Sequence, residues 1–125
     1  AFDRLRDGTA RRITRQGQIF SRAHTDDVAS ALAASLAQPR PGAAYNICDD
    51  EPAPNAEVIA EAARLLGLPI PPEEPFETAD LSSAARRFYG ESKRVSNALA
   101  KAELGWRPAY RTYREGLRAI LAAGG

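Results

Sequence analysis

Cysteine and histidine each occur once in this chain of 125 residues. With Cys48 alone, no internal disulfide and no multi-cysteine zinc site can form. A lone cysteine is ordinarily a small buried apolar residue, so no redox role is assigned to it. Long hydrophobic runs are missing, and the polar start does not read as a secretion signal. A cytoplasmic location is the resulting expectation. An excess of one charge is also missing. The formal net charge is +1, which gives no overall bias towards nucleic acid or membrane.

What is present suits one domain spanning residues 1–125. Apolar residues make up 44% of the chain, enough to bury a core without a disulfide or a metal. Charge is clustered rather than even. Arg4, Arg6, Arg11, Arg12 and Arg15 crowd the N-terminal segment, while acids gather at 49–51 and 73–77. A basic arm on nucleic acid is one reading of the arginines, and a solvated face is the plainer one.

Phe2 and Leu5 are spaced as part of a helix that Gly8 stops, as though the chain opened inside a longer protein. Residues 11–21 alternate around Gly17 and predict a hairpin of Arg12–Thr14 with Gln18–Phe20. Val28, Leu32 and Leu36 recur every fourth residue, with Ala29 and Ala33 flanking them on the same side, and predict a helix over about 25–37. Pro39, Pro41 and Gly42 end it. The run 44–48, Ala-Tyr-Asn-Ile-Cys, reads as a buried strand. A further helix starts near Asn55, buries Val58, Ile59, Ala62, Leu65 and Leu66, and stops at Gly67. Prolines at 69, 71, 72 and 75 make an extended connector. Short helices follow over about 81–88 and from Ser96 to Leu104. Thr112 and Glu115 fit a capping box for a last helix, inside which Gly116 suggests close packing.

One strand cannot satisfy its own backbone groups. The run 44–48 is therefore expected to join a sheet supplied by a missing segment or a second chain. The fold class is mixed α/β, helix-rich, with few strands of its own.

The only histidine lies in Phe-Ser-Arg-Ala-His-Thr-Asp-Asp-Val-Ala, residues 20–29. A metal needs three or four ligands, and no second histidine exists. If a helix starts at Thr25, Asp26 and Asp27 sit in its first turn, where free N–H groups and the helix dipole stabilise carboxylates. His24 then packs or bonds locally. No metal is expected.

This stretch resembles a segment of the extended short-chain dehydrogenases/reductases, the NAD-dependent epimerase/dehydratase group. "AAYNICDDEPAPNAEVI" is similar to that family's strand, loop and helix, and "SKRVSNALAKAELGWRP", residues 92–108, to its Ser-Lys…Leu-Gly-Trp segment. The resemblance covers most of the chain from Arg12 onward and implies the C-terminal, substrate-side portion of a Rossmann-type protein. The family's Gly-rich phosphate turn is not found here, and without it no backbone approaches a pyrophosphate at a helix N-terminus. The resemblance thus implies NAD or NADP in a parent protein, none on this chain alone, and a small-molecule substrate. No catalytic residue is assigned within the chain.

Tyr89 and Lys93 have the Tyr-x-x-x-Lys spacing of the family's catalytic pair. They are set aside because they precede a capped helix rather than lying within one. In nucleotide-sugar members an arginine four residues before the motif histidine commonly holds the diphosphate. Phe20 stands there in this chain, and Arg22 lies two residues before His24. Arg22, Arg86 and Arg87 are the substrate-binding candidates, since planar guanidinium groups suit phosphate and carboxylate. The alternative is a self-contained interaction module, dimeric through an exposed strand or helix face.

Overall fold

A computed structural model describes residues 1–124. The elements run α1 (Phe2–Asp7), β1 (Arg12–Thr14), α2 (Thr25–Ala37), α3 (Asn55–Leu66), β2 (Glu73–Pro75), α4 (Ser83–Tyr89), α5 (Ala98–Leu104) and α6 (Tyr113–Ala122). Helix-rich mixed α/β is what the sequence predicts. No helix among the described residues is long and apolar enough to cross a membrane.

Two apolar clusters hold the chain. In the first, Phe2 and Leu5 of α1 meet Val58, Ala62 and Ala63 of α3 and Tyr113 and Leu117 of α6. In the second, Ala31 of α2 meets Ala100, Leu104 and Trp106, with Tyr45 and Ile47 packed against them. Gly67 ends α3 with φ 68°, a left-handed conformation that glycine enters without steric cost.

The expected hairpin does not form. β1 pairs in parallel with β2, Ile13 opposite Glu74. Charge and a buried amide explain the choice. The Arg11 guanidinium clasps the Glu74 carboxylate at 3.0 and 2.6 Å, and Arg12 reaches Glu73 at 3.5 Å. The basic and acidic clusters of the sequence therefore face each other. Gln18 is buried, and its amide donates to the carbonyls of Tyr89 and Glu91 instead of returning along β1. Phe20 then bridges to Ala53 and Lys93. Arg12 also donates to the carbonyls of Ala56 and Pro71, and Arg15 to that of Gly90. Arg11, Arg12 and Arg15 are thus engaged by groups distant in sequence.

The stripe on α2 faces outward, as an exposed apolar helix face. Val28, Leu32 and Leu36 are 40%, 63% and 81% exposed, while Asp27 and Ala31 are buried. The run 44–48 is extended, with Tyr45 and Ile47 half-buried and Ala44 and Asn46 exposed. No backbone–backbone hydrogen bond reaches residues 44–48 among the described residues, so the expected strand has its alternation but no ladder. At its end the Asn97 side-chain amide donates to the Cys48 carbonyl at 2.9 Å, and the Asp49 amide donates to the Arg22 carbonyl at 2.6 Å.

At the C-terminal end, Thr112 Oγ1 accepts from the Glu115 amide at 3.3 Å, one half of the capping box. The Glu115 carboxylate turns to the Arg111 amide at 2.8 Å in place of the other half. Gly116 is not required for clearance. A methyl group there would sit 3.7 Å from His24 Cδ2, an ordinary contact.

Candidate functional site

His24 is the N-cap of α2. Its Nδ1 accepts from the Asp26 amide at 3.0 Å, and its ring lies 4.4 Å from that of Tyr110. This is the local bonding and packing expected of it. Asp27, in contrast, does not serve its own helix. Its carboxylate accepts from the backbone amides of Ala109 at 2.7 Å and Tyr110 at 3.1 Å. Its carbonyl accepts from Trp106 Nε1 at 3.2 Å, and Ser30 Oγ shares that indole at 3.0 Å. The motif thus fastens α2 to the segment before α6. Among the described residues no group of three or more histidine, cysteine or acidic side chains is placed to hold a metal.

Arg22 and Asp49 line a cavity of about 80 Å³ with His24, Tyr110 and Tyr113. Arg22 Nη2 donates to the Ala53 carbonyl at 3.1 Å, while its buried Nη1 has no hydrogen-bond partner. Burial pushes this guanidinium down from its ordinary value, against the pull of Asp49. Burial pushes the Asp49 carboxyl up to about 6, opposed by the Glu51 amide that it accepts and by Arg22.

A much larger cleft of about 840 Å³ opens between α1, α3 and α4. Its apolar lining comes from Ile13, Ile59, Leu81 and Phe88, with Tyr89 and Arg4 among its polar members. Phe20 stacks on Phe88 at 4.7 Å with 13° between the rings. The residue standing where an arginine was expected therefore backs the cleft wall. Tyr89 Oη accepts from the Asn55 amide at 3.4 Å. Arg11 also lines the cleft, but Glu74 and the Asp80 carbonyl occupy its guanidinium.

The structure scatters the three candidate arginines. Arg22 belongs to the small cavity. Arg86 donates to the carbonyls of Phe76 at 3.3 Å and Ala79 at 2.7 Å and lies over the Phe76 ring, so it holds the loop before α4. Arg87 is exposed and makes no hydrogen bond or ion pair among the described residues. Tyr89 ends α4, and Lys93 lies in the extended segment that bridges to Phe20, so the two do not share a helix. Sequence reasoning missed Arg4 as a cleft residue. Its only signal was membership of the basic cluster.

A dinucleotide needs a glycine-rich turn feeding a helix N-terminus. Gly8, Gly67 and Gly105 instead follow the ends of α1, α3 and α5, and Gly17 and Gly42 sit in turns. None of these turns feeds the N-terminus of a helix.

No family model matches this chain. A 3-diazoavenalumate denitrifying reductase from a Streptomyces sp is 31% identical, over 75% of this chain and 31% of that protein. The structure of a functionally unknown conserved protein from Silicibacter pomeroyi DSS is 55% identical, covers 98% of this chain and 43% of its own, and has a TM-score of 0.93. The dTDP-glucose 4,6-dehydratase of Bacillus anthracis str. Ames, solved with NAD, is 21% identical over 97% of this chain and 36% of its own, with a TM-score of 0.70. Further dinucleotide-bound structures match at 19–22% identity over 96–97% of this chain. The chain spans less than half the length of each of these proteins. The matches agree with the three motifs: the chain fits the C-terminal part of an extended short-chain dehydrogenase/reductase of the NAD-dependent epimerase/dehydratase type. Its neighbours are Rossmann-type proteins of which it matches a portion.

Proposed function

We propose that this chain is the substrate-side domain of an NAD(P)-dependent epimerase, dehydratase or reductase and does not turn over alone. In this reading residues 1–125 are one domain and the dinucleotide-binding half lies in other polypeptide. The parent protein takes NAD or NADP and a small-molecule substrate. Hydride transfer and the tyrosine acid–base belong to that other half.

The observation that carries the reading is the run 44–48, which makes no backbone–backbone hydrogen bond among the described residues and has its Cys48 carbonyl met by the Asn97 side-chain amide at 2.9 Å, beside the exposed stripe of Val28, Leu32 and Leu36. A strand with unmatched donors and acceptors is a template for pairing. A shallow groove of about 150 Å³ between Val28, Leu32, Tyr45 and Ile47 adds apolar surface to the same face. We assign that face to the edge of the parallel sheet in the dinucleotide-binding half. The cleft of about 840 Å³ then forms one wall of the substrate site. Of the candidate arginines, Arg87 is exposed on α4 outside the lining of that cleft, while Arg22 and Arg86 hold the loops they are bonded to.

NADH fluorescence titration tests this reading. The full-length product of the reading frame should bind NADH, and the 125-residue chain should not. Leu32→Glu should weaken binding in the full-length protein by disturbing the docked face. Tight NADH binding by the short chain alone overturns the assignment.

A further inference from the structure

The cleft between α1, α3 and α4 carries information about the ligand it suits. Its body is apolar and aromatic: Ile13, Ile59 and Leu81 surround Phe88 and Tyr89. Phe88 is 50% exposed, and its other face is covered by the parallel ring of Phe20. A ring held flat in this way presents a stacking surface of fixed orientation. Tyr89 Oη accepts from Asn55, which leaves its own hydrogen free to donate.

The charge is sparse. Of the two arginines in the lining, Arg11 is bound by Glu74 and the Asp80 carbonyl. The Arg4 carbonyl accepts from the Thr9 and Ala10 amides, while its exposed guanidinium has no hydrogen-bond or ion-pair partner among the described residues. Its neighbour Asp7, which feels its charge, is engaged by Thr9. The position expected to carry a diphosphate-binding arginine is Phe20; Arg22 lies in the separate small cavity and Arg86 holds the Phe76 and Ala79 carbonyls, both outside the lining of this cleft. One free guanidinium in an aromatic cleft matches one negative group on a flat apolar body.

We propose that this cleft binds an aromatic or conjugated monocarboxylate, its ring on Phe88 and its carboxylate on Arg4, and not a nucleoside-diphosphate sugar. The proposal rests on the reading of this chain as a substrate wall. Exclusion follows from the same geometry. A diphosphate placed here would leave charge without a partner beside Phe88 and Leu81, and desolvating that charge is costly.

The test uses the full-length product of the reading frame and calorimetric titration with trans-cinnamate. Cinnamyl alcohol is the uncharged match, and UDP is the nucleotide arm. Cinnamate should bind about tenfold more tightly than the alcohol, the effect of one charge-assisted hydrogen bond. Arg4→Gln should bring cinnamate down to the level of the alcohol and leave the alcohol unchanged. Arg4→Lys should restore part of the loss, and Phe88→Ala should weaken both ligands. Equal binding of acid and alcohol, indifference of cinnamate to Arg4→Gln, or UDP binding more tightly than cinnamate would overturn the proposal. NADH titrated into the same sample separates the two readings. Binding of NADH without cinnamate defeats the substrate class alone. Failure to bind NADH defeats the substrate-wall reading and this proposal with it.

Discussion

Asp27 and Ala109 are joined by a hydrogen bond of 2.7 Å from backbone amide to carboxylate, across 82 positions of sequence. Tyr110 adds a second amide to the same carboxylate at 3.1 Å. The group is 2% exposed, so water cannot replace either bond. Asp27→Asn keeps one acceptor and turns an NH₂ group towards an amide donor. It should destabilise the fold by about 2 kcal/mol, and Asp27→Ala by more. Urea denaturation measures both. Midpoints unchanged from the wild type would remove Asp27 from the structural role.

Asp49 makes stability depend on pH in the sense opposite to most carboxylates. Burial raises it from 3.8 to about 6, so the folded chain holds its proton more firmly than the unfolded chain does. Its stabilising contribution is full below the unfolded value and is lost as pH rises through the folded one. Asp49→Asn keeps an acceptor for the Glu51 amide and removes the titration. The variant should gain on the wild type between roughly pH 4 and pH 6, by about 1–3 kcal/mol, and the difference should stay level above. Thermal melts across that range provide the check, and parallel curves for the two proteins would count against it.

Gly116 lies in the interior of α6 without needing to be glycine. Gly116→Ala should raise stability by roughly 0.5–1 kcal/mol, the usual difference in helix propensity. A loss in a melting experiment would mean that His24 cannot accept the methyl group 3.7 Å from its ring carbon.

Leu36 is 81% exposed and contributes to the same face as Val28 and Leu32. Leu36→Glu should leave the melting temperature of the 125-residue chain within a few degrees and reduce its self-association in sedimentation. Unchanged association would locate the sticky surface elsewhere.

Local chemistry in the sequence predicted the parts of this fold that local chemistry decides. Gly8, Gly67 and Gly105 stop helices where the pattern puts them, and His24 caps the helix that begins at Thr25. The larger failures are non-local. Arg12–Thr14 left its expected partner because Glu73 and Glu74, sixty-one residues on, offered a better one. Asp27 looked like a helix-dipole carboxylate because nothing in its neighbourhood announces Ala109. Val28, Leu32 and Leu36 mark α2 as a helix with an apolar face, but periodicity tells that a face is apolar without telling what covers it. The cleft was hidden for the same reason: Arg4, Ile59 and Phe88 come from three helices and share no motif.

The unladdered run 44–48 also bears on how the protein survives its own synthesis. Newly made, such a segment is exposed to its copies on neighbouring ribosomes before any sheet receives it. It is short, Pro41 and Gly42 precede it, and Asp49, Asp50, Glu51 and Pro52 follow directly. Flanking acids and prolines act as gatekeepers against stacking into fibrils. Removing that acidic border would take away a barrier to pairing between copies of this segment.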